Sequence, residues 1–248
     1  MNVSRRGFLT RAAVVTAAAA IPGSLLLSAP AYAAQGPDPD RIRASIREAR
    51  ARHARVLSGV TSSNGWEMEK IADDRGNIYT RPVPGTPIDG VQVRIGDAEI
   101  VLLHVVRRFH YEIDSLRRED VVGWSAPEKV RRSHPESNLA SGTGIRIRPE
   151  SYPAGAHGGF FSPQVAVIRD ILAELDGVVR WGGDDRTPDE ALFYLDVQPG
   201  DPRLGETVTR LRDWEAHPGQ GAGVLVDVHA PGRRKAAKNL ERRQRRAA

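Results

Sequence analysis

Asp184, Asp185 and Asp189 crowd one short stretch that also carries Trp181, Gly182 and Gly183. Carboxylates gathered in a loop can move protons, hold a cation or accept hydrogen bonds from a ligand, provided a fold turns them into a common groove. Upstream, the run Ser137-Asn138-Leu139-Ala140-Ser141-Gly142-Thr143-Gly144-Ile145-Arg146-Ile147 sets hydroxyls and a permanent guanidinium cation around a glycine turn. Histidine chemistry is thinly supplied. His134 and His157 flank that run, His104, His110, His217 and His229 lie apart, and no pair has ligand spacing. The absence of cysteine removes thiolate catalysis, Cys-ligated metals, disulfides and lipoprotein attachment. There is no Gly-x-Ser-x-Gly elbow, His-Glu-x-x-His helix or phosphate loop. His157-Gly158-Gly159, an oxyanion-type loop, therefore has no serine to serve.

Elements of several kinds must aim these groups. Helical spacing predicts a surface helix over 41–57, capped by Asp40 and rich in Arg and Ala. A nearly all-apolar helix is predicted over 97–108, capped by Asp97, with a strand at 111–114 after it. Residues 144–148 alternate, with Ile145 and Ile147 facing one way and Arg146 and Arg148 the other. A helix opens at Ser162 or Pro163 and ends at Gly177. Strands are expected at 78–80, 91–95, 178–181 and 192–197, a helix at 206–214 and a last strand at 224–228. Helices and strands mix without regular alternation, so the expected class is α+β, a small antiparallel sheet flanked by helices.

The 137–147 run, Trp181-Gly182-Gly183-Asp184 and Asp189-Glu190-Ala191-Leu192-Phe193-Tyr194, in that order, resemble the frame of zinc D-alanyl-D-alanine carboxypeptidases, whose fold is shared with the hedgehog signalling domain. The resemblance spans about 63–197 and begins at Ser63-Asn64-Gly65-Trp66. In that family the first run reads Ser-Asn-His-Ala-Ser-Gly-Thr-Ala-Ile-Asp-Ile and the last Asp-x-Met-His-Phe-Glu, so the zinc-ligand positions here are Leu139, Arg146 and Leu192. Asp189 falls at the general-base position, and Ser141, Thr143, Trp181 and Asp184 at expected groove positions. The oxyanion Arg position falls at Glu128, with Arg131 and Arg132 close by. A catalytic zinc needs ligands with lone pairs, which leucine lacks and a guanidinium cannot offer. The resemblance therefore implies no cofactor where the family uses zinc, and a pseudoenzyme that binds peptidoglycan peptide or a protein partner. A peptidase with a rebuilt site, and a structural envelope protein with no ligand, are the alternatives. If the guanidinium of Arg146 points where the family's ligand points, it needs a carboxylate; Asp189 is the nearest expectation, then Asp184 and Asp185, with aliphatic packing closing the polar site.

The net charge of +5 is unevenly spread. The tail 233–248 carries +7 and the body 34–232 carries −5, which argues against a nucleic-acid partner and leaves anionic wall polymer as the tail's natural counterpart. The expected organisation is a twin-arginine signal over 1–33, a linker and surface helix over 34–61, a peptidase-like domain over 62–200, a packed helix and strand over 201–232 and a disordered basic tail over 233–248. Ser4-Arg5-Arg6-Gly7-Phe8-Leu9, an Ala-rich run and Ala31-Tyr32-Ala33 carry the signal reading, with the cut after Ala33. It places a monomer, with no membrane span after cleavage, outside the cell or at its envelope. Replacing Arg5 and Arg6 together by Lys is expected to stop export, read by fractionating cells and medium. Undiminished secretion would assign the protein to the general pathway instead.

Overall fold

The computed structural model describes residues 38–217 and 219–246. In chain order the elements are helix α1 (Pro39–Val56), strands β1 (Leu57–Thr61), β2 (Glu67–Glu69), β3 (Ile78–Arg81) and β4 (Val91–Arg94), helix α2 (Asp97–Glu112), strand β5 (Val121–Val122), short helix α3 (Ser137–Ala140), strand β6 (Gly144–Ile147), helix α4 (Ser162–Glu174), strands β7 (Val179–Trp181) and β8 (Leu192–Leu195), and helices α5 (Pro202–Ala216) and α6 (Pro231–Arg246). Residues 1–42 and 43–248 separate as two units, and the second holds every site described below. The export signal lies outside the described residues.

Every strand pair is antiparallel: β1 with β2, β3 with β4, and a four-stranded sheet in the order β5-β6-β8-β7. The fold is α+β, small antiparallel sheets flanked by helices. Helix α2 is buried because its apolar residues leave almost no polar stripe. Val101, Leu102, Val105, Val106 and Phe109 are wholly or nearly wholly inaccessible and join β6, β8 and α4 in one core with Ile145, Ile147, Phe193 and Ile168. Such burial contributes about 1.5–3 kcal/mol per large side chain. Gly96, not Asp97, takes its cap position. No helix among the described residues is long and apolar enough to cross a membrane.

Charged residues sit inside this helical layer as well. Arg108 is 1 % exposed and donates to Glu112 at 2.5 Å and to Asp170 at 3.1 Å, with Glu174 at 3.0 Å. Arg233 reaches the same two α4 carboxylates from α6, at 2.5 Å from Asp170 and 2.7 Å from Glu174. Buried cations hold such positions only when every one is matched by a carboxylate. Burial alone would raise the Glu174 carboxyl, but the hydrogen bond from His104, the charge of Arg108 and the hydrogen bond from Arg233 outweigh it and hold it at about 2.

That network corrects the expected tail. Residues 231–246 form α6, seated on α4 by Ala237 and Leu240, with Gln244 Nε2 donating to the Val179 carbonyl at 2.9 Å on edge strand β7. An apolar stripe this thin hides among its cations, so the sequence reads as a solvated charge run. Two expected strands are also absent. Residues 111 and 112 continue α2, and 224–228 pairs with no strand, its Leu225 being 99 % exposed.

Arg108→Met would leave Glu112 without its cation and Asp170 with Arg233 alone, and is expected to cost about 3–5 kcal/mol, read by urea unfolding. Because Glu174 is depressed from 4.5 to about 2, its stabilisation is complete above pH 4.5 and is lost as pH falls towards 2. Glu174→Gln is expected to flatten the pH dependence of unfolding in that window.

Candidate functional site

Alternation in β6 decides the site. Ile145 and Ile147 are fully buried in the core, which turns Arg146 to the opposite side, where β8 sets Leu192 directly across from it. The loop after β7 then brings a carboxylate to the guanidinium. Asp189 N donates to Gly182 O at 3.0 Å, and a Cβ on Gly182 would stand 2.6 Å from the Asp189 carbonyl, so this closure needs glycine. Arg146 Nε and Nη2 both donate to Asp189 Oδ2, at 3.0 and 2.8 Å, and Glu136 Oε2 stands 3.5 Å from Nη2. Burial pushes the Glu136 carboxyl up, but hydrogen bonds from Arg131 and the charge of Arg146 leave it below its ordinary value.

Leu139 and Leu192 close the other side. They are 0 % and 1 % exposed and pack with Tyr194, with Val130 against them. The resemblance would place zinc among 139, 146 and 192, and these side chains do not fit it. Two are aliphatic, and the third is a cation already engaged by carboxylate. Of the histidines, His134 lines the adjoining cleft, while His104 bonds Glu174 and His110 accepts from Leu116 N. Among the described residues no three His, Asp or Glu side chains are grouped to hold a metal.

The ion pair and the packed Leu139 and Leu192 fill this position, and a cleft adjoins it. The cleft has a volume of about 420 Å³ and is floored by Leu192 and Tyr194, with Asn64, His134, Asp185 and Asp189 on its walls and Arg131 and Arg186 among its lining. The loop carboxylate that matters beside Asp189 is Asp185. Tyr194 Oη donates to both Asp185 oxygens, at 2.9 and 3.0 Å, and Arg180 Nε donates to Oδ1 at 2.9 Å. Burial pushes the Asp185 carboxyl up in spite of these donors, and burial together with Asp185 pushes the Tyr194 phenol far above its ordinary range. Tyr194 is therefore a fixed hydrogen-bond donor. Two buried polar atoms of cleft residues have no hydrogen-bond partner among the described residues: Arg180 Nη2 and Asp189 Oδ1.

The four expected groove residues do not line this cleft. Ser141 and Thr143 are fully buried and bond each other at 2.7 Å; Ser62 Oγ reaches Ser141 at 3.0 Å and Asn64 Nδ2 reaches Thr143 at 2.9 Å. Hydroxyls buried this deeply serve one another, which is what satisfies them. Gly142 turns the chain between them at φ +68, where a Cβ would sit 2.7 Å from Arg94 N. Trp181 faces the other way, giving its indole N–H to Glu190 O at 2.7 Å, with the Arg169 guanidinium 5.0 Å from its ring centre. Asp184 is paired with Arg169 and with Arg245, the latter at 3.2 Å. Arg180, Asp185 and Tyr194 escaped the sequence reading as a set, although the strand pairing Arg180↔Tyr194 is what joins them.

Comparison with protein-family models, curated proteins and solved structures finds no match to this chain. Replacing Arg146 by Met and Asp189 by Leu, singly and together, is expected to give a coupling of about 1–2 kcal/mol. That is less than for a fully buried pair, since 23 % of the Arg146 side chain meets solvent. Urea denaturation of the four proteins measures it.

Proposed function

We propose that this protein binds peptide rather than cleaving it: a zinc-free counterpart of the D-alanyl-D-alanine carboxypeptidases that it resembles, working outside the cell on peptidoglycan peptide. The observation that carries this reading is the Arg146–Asp189 ion pair, which stands where that chemistry would need a metal and a free base, beside a cleft still large enough for a short peptide. A carboxylate with one oxygen committed to two guanidinium N–H groups is a poor proton acceptor on that oxygen. The remaining walls suit recognition. Asp185 can accept from ammonium or amide N–H groups, and Arg131 and Arg186 can meet a terminal carboxylate. Tyr194 supplies apolar area with its hydroxyl already fixed.

Titration calorimetry of the mature chain with a D-Ala-D-Ala-ended pentapeptide is expected to give saturable one-to-one binding, no release of D-alanine and far less than one zinc per chain. Asp185→Asn is expected to weaken binding roughly tenfold, the effect of about 1.4 kcal/mol from one charge-assisted hydrogen bond. Metal-dependent turnover lost in Asp189→Asn would establish a working peptidase, and absence of binding with the fold intact would leave the structural reading.

A further inference from the structure

Helix α6 exposes a dense set of cations that the fold leaves unneutralised. Arg233 is bound to Asp170 and Glu174, and Arg245 to Asp184 and Glu241. Arg234, Lys235, Lys238, Arg242, Arg243 and Arg246 are exposed and have no carboxylate partner among the described residues; Arg242 bonds only the Asn239 amide oxygen, at 2.6 Å. With 3.6 residues per turn, Lys235, Lys238, Arg242 and Arg246 form one row opposite the buried Ala237, Leu240 and Gln244, and Arg234 and Arg243 flank it. Successive cations in the row stand about 4.5–6 Å apart along the axis. Arg242, Arg243 and Arg246 also line a groove of about 620 Å³ against Ala173 and Asp176. The row is held rigid, because the inner face of α6 is fastened to α4 by packing and by Arg233.

We infer that α6 is a docking surface for a linear polyol-phosphate polymer of the cell wall. Charge complementarity selects a polyanion, and shape narrows the choice. The six cations spread around about half of the helix circumference, so a thin chain can follow them, whereas a flat bilayer meets only part of the set. The outward face has no large apolar residue to insert into lipid, since the apolar residues of α6 are spent on α4. A wide duplex reaching beyond the helix would meet a body with a net charge of −5. The choice of a wall polymer over a single-stranded nucleic acid rests on the export reading of the N-terminus.

The full mature chain is titrated with lipid-free poly(glycerol phosphate), a single-stranded oligonucleotide and phosphatidylglycerol vesicles, at matched phosphate and several salt concentrations. The polymer is expected to bind most tightly. In the variant carrying Lys235→Gln, Lys238→Gln, Arg242→Gln and Arg246→Gln, affinity for it is expected to fall at least about a hundredfold at low salt, with the slope of log affinity against log salt shallower by about 3. These side chains are exposed, so the unfolding midpoint is expected to hold. Should it drop, the double variant Lys235→Gln, Lys238→Gln takes its place, with about half the slope change. Unchanged polymer binding in the variant that keeps its fold overturns the inference, as does tighter binding of the oligonucleotide or the vesicles by the parent protein.

Discussion

A guanidinium on the face of β6 turned away from the core, still largely shielded from water, must find a carboxylate, and much of the site's architecture follows from that requirement. Isoleucines on both sides of Arg146 commit the strand to one orientation, since turning it over would bury a cation in the core and expose two apolar side chains. The loop from Gly182 to Asp189 answers by folding back on itself and delivering Asp189, and Glu136 adds a second negative charge from the turn before α3. Leu139 and Leu192 complete the arrangement by packing with Tyr194 beside the ion pair.

The motifs that suggested a groove turn out to build the frame around it. Ser62, Ser63 and Asn64 hydrogen-bond to Ser137, Asn138, Ser141 and Thr143, so two stretches far apart in sequence are joined by a buried hydroxyl and amide network. Asn64 also donates to the Leu195 carbonyl, and Trp66 to that of Val197, which ties the same stretch to the strand that floors the cleft. Rigidity in this frame is what lets Asp185, Tyr194 and Arg180 keep a fixed geometry in a solvent-facing cleft.

On the opposite side of α4, opposite charges are matched in the interior rather than at the surface. Arg108, Asp170, Glu174 and Arg233 join α2, α4 and α6, so the C-terminal helix is part of the folded unit and not an appendage. With the inner face of α6 used in this way, its remaining cations are displayed in a fixed pattern. A disordered tail of the same composition would present them only as an average, with an ordering cost on binding.

The α+β class, the buried helix α2 and the alternation of β6 could be read from residue types and spacing, because periodicity is a local rule. The cost of an unpaired buried charge called for a carboxylate beside Arg146, but the choice of Asp189 came from the family resemblance alone. Ser141, Thr143, Trp181 and Asp184 could not be placed that way. Whether a polar side chain faces a groove or a buried partner depends on which distant residue lies opposite, and Ser62, Arg169 and Glu190 arrive there only through the fold. The cleft itself is likewise tertiary, since Arg180 and Tyr194 become neighbours by strand pairing and Asn64 comes from the other end of the domain. In α6 the sequence carried the charge, but Ala237 and Leu240 are too small a stripe to announce a helix by themselves. Docking against α4, with Gln244 on the open edge of β7 and Arg233 between two carboxylates, is what orders it.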